Sequence, residues 1–365
     1  MPSKQTTALA AREKGAEKAD QQSALSRGRH LYALRGWLAS LGGLLIVGLL
    51  PTLYDQLFGF SAGFELHRIS LIGIFIIAAL AQNVLTGYAA QPSLGNAAFF
   101  GVSAYMLTWL TSDLNQPYWL GILVAVLLSA LLGVIVGSPA LRISGAHLAV
   151  ATLGLVTTVG ALLNLWDTTA GRQNYDLTNL PTLLSDDHAL YYCVCVVVVI
   201  LLFLTYHLLR SRVGRAWVAI RDNETAAEAF GINLTRYKLQ AFVISAAMTG
   251  VAGALYATWA TTASSSMSSV NQTIAFLAMI VVGGLGSLTG SILGAIFVGF
   301  LPLLLGQLPS PLAIGPLQLQ VSTLTTGIYG LLLLLALIFF PSGLSSLGAR
   351  GKSLLWRFNK RGEAQ

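Results

Sequence analysis

Charge is what this sequence has least of. Asp, Glu, Lys and Arg together make up 10% of its 365 residues, while 55% are hydrophobic. Soluble domains carry about 25% charged residues, so the composition excludes an ordinary soluble enzyme and indicates an integral membrane protein. Apolar runs of about 20 residues recur, the length of a membrane-crossing helix rather than a barrel strand. Cysteine is scarce as well, with Cys193 and Cys195 the two present. Two residues apart in a helical run, they point to different sides, which excludes a disulfide or a shared metal and leaves small apolar packing.

The catalytic repertoire is equally thin. There is no Gly-Lys-Ser or Gly-Lys-Thr, no His-Glu-x-x-His and no carboxylate pair inside an apolar run, so a phosphate-binding loop, a zinc protease site and an acid–base pair are all missing. Gly284-Leu-Gly-Ser-Leu-Thr-Gly290 lacks a Lys and follows no nucleotide-binding fingerprint. No cofactor is implied.

What is present is a series of ten apolar segments, at 37–54, 69–90, 94–111, 118–137, 146–166, 189–209, 239–259, 272–288, 289–308 and 322–340. They predict an all-α polytopic membrane protein. Gly and Pro interrupt 94–111, 272–288 and 289–308, which fits broken or re-entrant helices and leaves eight full spans as the alternative. Residues 1–36 read as a disordered basic tail with no cleavable signal, 37–340 as the membrane domain and 341–365 as a second basic tail. With both ends inside, 19 of the 21 Lys and Arg lie on the inner side and Arg68 and Arg172 outside, while the acids divide evenly. That bias in the bases is the positive-inside pattern. No Asp, Glu, Lys or Arg falls within any segment, so a proton-driven carrier has nothing to couple to, though backbone carbonyls leave sodium coupling open. His147 and His207 lie near inner ends, as interfacial anchors do.

One long polar island interrupts the apolar pattern, from Arg210 to Lys238. Six basic residues (210, 212, 215, 221, 236 and 238) face Asp222, Glu224 and Glu228. Asp222 or Asn223 is placed to cap a helix, and Thr225 to Glu228 has capping-box spacing. Ala226, Ala227 and Phe230 share one side. Gly231 is a natural stop in the left-handed conformation, and Trp217 and Ile220 mark a shorter amphipathic helix before it. The island is either a solvated loop with two helical turns or a docking element for a soluble partner. Two further stretches are ambiguous. Ser93, Gly95 and Asn96 follow Pro92 and either line a path or cap a helix. Gly284 and Gly286, with Gly290 and Gly294, form either a close-contact face or a broken helix along a path. The outer loop 167–188 is either a contact surface or a connector. On residues alone, the candidates are a pore driven by an ATP-hydrolysing partner, a stand-alone channel or sodium-coupled carrier, and a membrane scaffold.

The island also carries a resemblance. Gly214-Arg-Ala-Trp-Val-Ala-Ile-Arg-Asp-Asn-Glu-Thr-Ala-Ala-Glu-Ala-Phe-Gly-Ile-Asn-Leu-Thr-Arg-Tyr-Lys238 resembles the cytoplasmic signature of high-affinity branched-chain amino acid ABC permeases, of the M type. Gly250-Val-Ala-Gly-Ala-Leu-Tyr256, Val282-Gly-Gly-Leu-Gly-Ser-Leu-Thr-Gly290 and Ser93-Leu-Gly-Asn-Ala-Ala-Phe-Phe-Gly101 support it, from about residue 70 to 347. The resemblance implies that Arg221, Asp222, Glu224, Ala226, Ala227 and Gly231 form the element that meets the ATPase. It implies no ATPase site in this chain. Its implied partners are a sister H-type permease subunit, two ATP-binding subunits and a periplasmic or lipoprotein solute-binding protein, in a bacterial plasma membrane. Two departures bear on the solute. Asn96 stands where the family usually has His, and Thr169-Ala-Gly-Arg-Gln-Asn-Tyr-Asp176 replaces a Thr-Gly-Gly stretch. Related systems are implied to carry other amino acids, urea or short amides.

Overall fold

The computed structural model describes residues 62–305, apart from 141–142, 144, 172–173 and 183, with short pieces between 312 and 335. The expected segment 37–54, most of 322–340 and both tails lie outside the described residues. The described chain is helical because long apolar stretches leave the backbone no partner but itself. Helix α1 (Ala62–Gln82) continues into a π-helical stretch, Asn83–Tyr88, and α2 (Asn96–Ser112) and α3 (Tyr118–Ala140) follow. Next come α4 (Ala146–Thr169), strand β1 (Tyr175–Asp176) and α5 (Asp187–Arg210). The island supplies α6 (Arg212–Asp222) and α7 (Glu224–Ala229), before α8 (Leu234–Ala260) and strand β2 (Thr262–Ala263). Helices α9 (Val270–Gly283) and α10 (Leu288–Leu305) and a small hairpin, β3 (Leu312–Ile314) and β4 (Leu317–Leu319), complete the described elements.

Among the described residues, six stretches are long and apolar enough to cross a membrane: Leu66–Tyr88, Tyr118–Pro139, Ala146–Thr169, Asp187–Arg210, Leu234–Ala260 and Ser265–Gly283. The expected segments 94–111 and 289–308 form α2 and α10, outside this group. The turn before α10 falls at 284–287, earlier than expected, because Gly284 and Gly286 take φ of 117° and 72°.

Two helices form the interior. The apolar windows of α1 and α8 are 78% and 72% buried, against 28%, 22% and 11% for α3, α4 and α5. Helix α8 packs on α1, α2 and α3, and α1 also meets α5 and α10. At the centre, Phe100 lies 5.1 Å from Tyr256 and 5.3 Å from Phe276 between ring centroids, with Phe75 beside them. Edge-on and tilted arrangements of this kind add to the burial of the rings themselves. Glycine brings α9 and α10 together: a Cβ at Gly290 or Gly294 would strike backbone carbonyls of α9. The small-residue repeat is therefore a packing face at Gly290 and Gly294, while Gly286 belongs to the turn.

At the end of the bundle opposite the island, β1 and β2 pair antiparallel, Tyr175 opposite Ala263 and Asp176 opposite Thr262. Asn179 donates to Thr111 O and Asn115 Oδ1, and Ser112 donates to Asp176 O. The loop after α4 is thus clipped to the ends of α2 and α8.

Candidate functional site: the basic island and the connections beneath it

The island folds as two capped helices on the foot of α8. Ser211 caps α6, accepting from Val213 N at 3.1 Å. Trp217 and Ile220, 0% and 2% exposed, give α6 its apolar face. Trp217 Nε1 donates to Tyr237 O at 2.9 Å, which fastens α6 to α8. Asn223 caps α7, its Oδ1 accepting from Ala226 N at 2.9 Å. Asp222 is instead the last residue of α6, and the spacing from Thr225 to Glu228 forms no capping box, because Thr225 already lies inside α7. Gly231 takes φ +80°, and Ile232 N returns to Ala227 O at 3.1 Å, which closes the helix as expected of a left-handed stop.

The expected shared apolar side is only partly present. Ala227 is buried, Ala226 is exposed, and Phe230 is 88% exposed. A six-residue helix therefore presents a phenyl ring outward beside a polar groove of about 540 Å³ lined by Glu228, Gly231, Asn233 and Thr235. Glu224 pairs with Lys238 Nζ at 2.7 Å, so its charge holds α7 to α8. An ion pair this exposed is worth at most about 1 kcal/mol.

Arg221 points the other way, into the bundle. Its Nη1 donates to Gly87 O at 3.4 Å and stands against Gly286, while its Nε faces Asp222 at 3.5 Å. Below it, Asn83 organises the turn between α9 and α10. Its Oδ1 accepts from Gly286 N at 2.8 Å, and its Nδ2 donates to Ser287 O at 3.0 Å and Ser291 Oγ at 2.7 Å. The structure thus joins Arg221 to Gly286, two positions expected to act in different places. Asn83 itself was missed; a Gln-Asn pair inside an apolar run is the signal that marks it.

Ser93, Gly95 and Asn96 form a separate group. The extended stretch before α2 is buried, so its backbone needs partners. Gln82 donates to Ser93 O at 2.6 Å, and Thr152 Oγ1 accepts from Leu94 N at 2.9 Å. Thr273 donates to Leu94 O at 3.3 Å, and Ser93 Oγ accepts from Gly95 N at 3.1 Å. Ser93 thus satisfies a backbone amide, but Asn96 does not. Asn96 donates to Ser245 Oγ at 3.1 Å, and Ser245 donates to Ala81 O at 2.7 Å. Ser93 and Asn96 are each 1% exposed. Gln82 and Asn83, adjacent where α1 becomes π-helical, connect this group to the Gly286 turn. Wide π turns recur at functional positions in helices.

The expectation that no Asp, Glu, Lys or Arg lies within a membrane segment is corrected near the span ends, where the apolar stretches take in Arg68, Asp167, Asp187, Arg210, Arg236 and Lys238; Asp167 is the buried one. Helix α4 continues to Thr169, and Asp167 is 4% exposed, its Oδ2 accepting from the Tyr105 hydroxyl at 2.6 Å. Among the described residues no group of three or more His, Cys, Asp or Glu is placed to hold a metal ion, and both cysteines are free.

The sequence is similar to known proteins. A family model described as "Branched-chain amino acid transport system / permease component" matches residues 66–339. The "High-affinity branched-chain amino acid transport system permease protein LivM" of Salmonella typhimurium is 33% identical over 253 residues, 62% of this chain and 60% of that protein. The "Probable branched-chain amino acid transport permease protein LivM" of Methanocaldococcus jannaschii is 25% identical over 314 residues, 74% of this chain and 90% of that one. A LivH permease protein of Salmonella typhimurium is 35% identical over 99 residues, 27% of this chain and 32% of that protein. The match to the Salmonella LivM protein spans only 60% of that relative's length. The match over 66–339 takes in the island, the Asn83 node and the helices that hold them, and on it the chain belongs to the permease-component family of branched-chain amino acid transport systems.

Proposed function

We propose that this chain is a membrane-embedded permease subunit of an ABC importer in a bacterial plasma membrane, moving branched-chain or similar small neutral amino acids with energy from ATP hydrolysed elsewhere. The island lies on the cytoplasmic side. Its partners are a sister H-type permease subunit, two ATP-binding subunits and a periplasmic or lipoprotein receptor. The names of the relatives support the solute class, and the 35% match to a LivH protein supports a sister subunit of related build.

The observation that carries the reading is the island's construction. Helix α7 is capped at both ends and offers Phe230 outward, while Arg221 on the adjoining helix reaches Gly87 and the Gly286 turn. A partner that grips Phe230 and α7 displaces Arg221, and with it the connection between α9 and α10. Arg221, Asp222, Glu224, Ala226, Ala227 and Gly231 make up this coupling element. Ser93, Gly95, Asn96, Gly284 and Gly286 belong to the translocation path. Ten segments with both ends inside complete the topology.

Purification of the chain from its native membrane tests this. An ATPase is expected to co-purify, and leucine uptake is expected to stop when that partner's ATP site is disabled. A complex without an ATPase, or uptake by this chain alone in liposomes, overturns it.

A further inference from the structure

Helix α5 is the barest of the long apolar helices, with 11% of its apolar window inside the protein. Its uncovered side is a stripe. Val196, Ile200, Phe203 and Leu204 are all exposed, and their spacing puts them on one face. His207 and Arg210, also exposed, continue that face toward the island. From Ile200 to Arg210 the helix rises about 15 Å, half of a hydrocarbon core of about 30 Å. The stripe is therefore deep enough for one leaflet.

At its foot the stripe ends in guanidinium groups. Arg210 stacks on Tyr206, 4.1 Å from the ring centroid. The rings of Phe203 and Tyr206 flank His207, with centroids 4.2 and 5.6 Å away. Aromatic side chains of this kind suit the membrane–water boundary. The chain then turns sharply, because Ser211 Oγ donates to Leu208 O at 2.6 Å and accepts from Val213 N at 3.1 Å. Across the turn, Arg215 Nη1 donates to Arg210 O at 3.0 Å. Arg210, Arg212 and Arg215 are thus gathered around one corner, and all three are exposed. Among the described residues, Arg221 pairs with Asp222 and Lys238 with Glu224, but no carboxylate pairs with any arginine of the corner.

An uncompensated basic corner joined to a bare apolar stripe fits one molecule on both counts. We infer that the foot of α5 binds an anionic phospholipid of the cytoplasmic leaflet. Its phosphate sits among Arg210, Arg212 and Arg215, whose guanidinium groups match phosphate oxygens two at a time. Its acyl chains lie along Val196, Ile200 and Leu204. An acidic protein surface matches the charge but leaves the stripe unused, and a zwitterionic lipid carries its own counter-charge. Because Arg210 ends α5 and Arg215 belongs to α6, the headgroup ties the two helices together. The far end of α6 carries Arg221, so the lipid steadies the helix through which the island reaches the bundle. The inference rests on the cytoplasmic placement of the island proposed above.

The test uses the whole transporter complex in phosphatidylcholine liposomes doped with phosphatidylglycerol that bears a photoactivatable diazirine on one acyl chain. Illumination is expected to label α5. Excess unmodified phosphatidylglycerol in the bilayer is expected to suppress that label about tenfold, whereas glycerol 3-phosphate in solution leaves it unchanged. A juxtamembrane base is worth about fivefold in affinity for an anionic surface. Arg210→Gln, Arg212→Gln and Arg215→Gln combined are therefore expected to cut labelling about tenfold or more. The three corresponding lysine substitutions, which keep the charge, are expected to retain most of it, and Arg236→Gln, an exposed base outside the corner, all of it. Undiminished labelling in the glutamine variant, equal loss in the lysine variant, equal loss in Arg236→Gln, or competition by glycerol 3-phosphate overturns the inference. Loss of the co-purifying ATPase rather than of lipid in the glutamine variant also overturns it, because the corner is then a protein contact. A complex labelled on α5 that takes up no leucine overturns the transport reading alone. Leucine uptake by a complex without label on α5 overturns this inference alone.

Discussion

Gly231 contributes a backbone conformation and little else. Its φ is +80°, and no atom lies within 4 Å of where a Cβ would stand. A substitution there acts through the backbone alone, at about 1–2 kcal/mol for a residue forced into the left-handed region. Gly231→Val is therefore expected to loosen α7 and reduce receptor-stimulated ATP hydrolysis by the complex. Gly231→Asn, which tolerates that conformation, is expected to lose much less; equal activity in both variants would show the helix end to be unimportant. Asn223 and Thr225 give a second contrast. Asn223→Ala is expected to cost about 1 kcal/mol of local stability, as cap removal does, and Thr225→Ala close to nothing, read as amide exchange in α7. The sequence showed these residues unevenly. Gly231 was legible because a glycine after a short helix has few other uses. The cap was half legible, because Asp222, Asn223 and Thr225 all lie near the boundary and only the backbone's extended turn at Asn223 selects among them. Asp167 was not legible. Its partner Tyr105 is 62 residues away, and nothing local says that α4 carries on past Trp166.

At the scale of elements, the junction of α1 with its π-helical end concentrates the interactions that join distant parts of the chain. Asn83 makes three hydrogen bonds across more than 200 residues of sequence, to Gly286, Ser287 and Ser291. Asn83→Ala leaves Gly286 N and Ser287 O without this partner at a site close to Arg221. About 1–3 kcal/mol is expected for each buried group left unsatisfied. Thermal unfolding of the purified complex should fall accordingly, and uptake should fall further than the ATPase rate. Unchanged coupling in that variant would separate the Asn83 node from function. The helices themselves were legible from hydropathy, since membrane helices are fixed by apolar length. The non-helical stretch before α2 was legible as a break, from Pro92 and Gly95, but not as a structure. What satisfies it comes from Gln82, Thr152 and Thr273, on three other helices.

At the scale of the whole molecule, the island and the β1–β2 pair lie at opposite ends of one helix. Phe230→Asp replaces the exposed ring with a charge while leaving the buried residues alone. It is expected to weaken ATPase binding about tenfold or more, as truncation of an aromatic anchor does, with unchanged thermal stability of the isolated subunit. Undiminished binding would place the docking surface elsewhere. Between the two ends runs α8. Its 27 residues, Leu234–Ala260, amount to a rod of about 40 Å. One end sits in the island, against Trp217 and Glu224, and the other runs into the two-residue clip with β1. Cysteines at the opposed positions, Asp176→Cys with Thr262→Cys, are expected to form a disulfide that leaves ATP hydrolysis running while stopping uptake. Uptake at the reduced rate after oxidation would show that the clip stays still. If the clip does move, α8 is a lever: a tilt of a few degrees imposed by a motor on the short arm becomes a swing of a few ångströms at the far tip, where the serines after β2 begin.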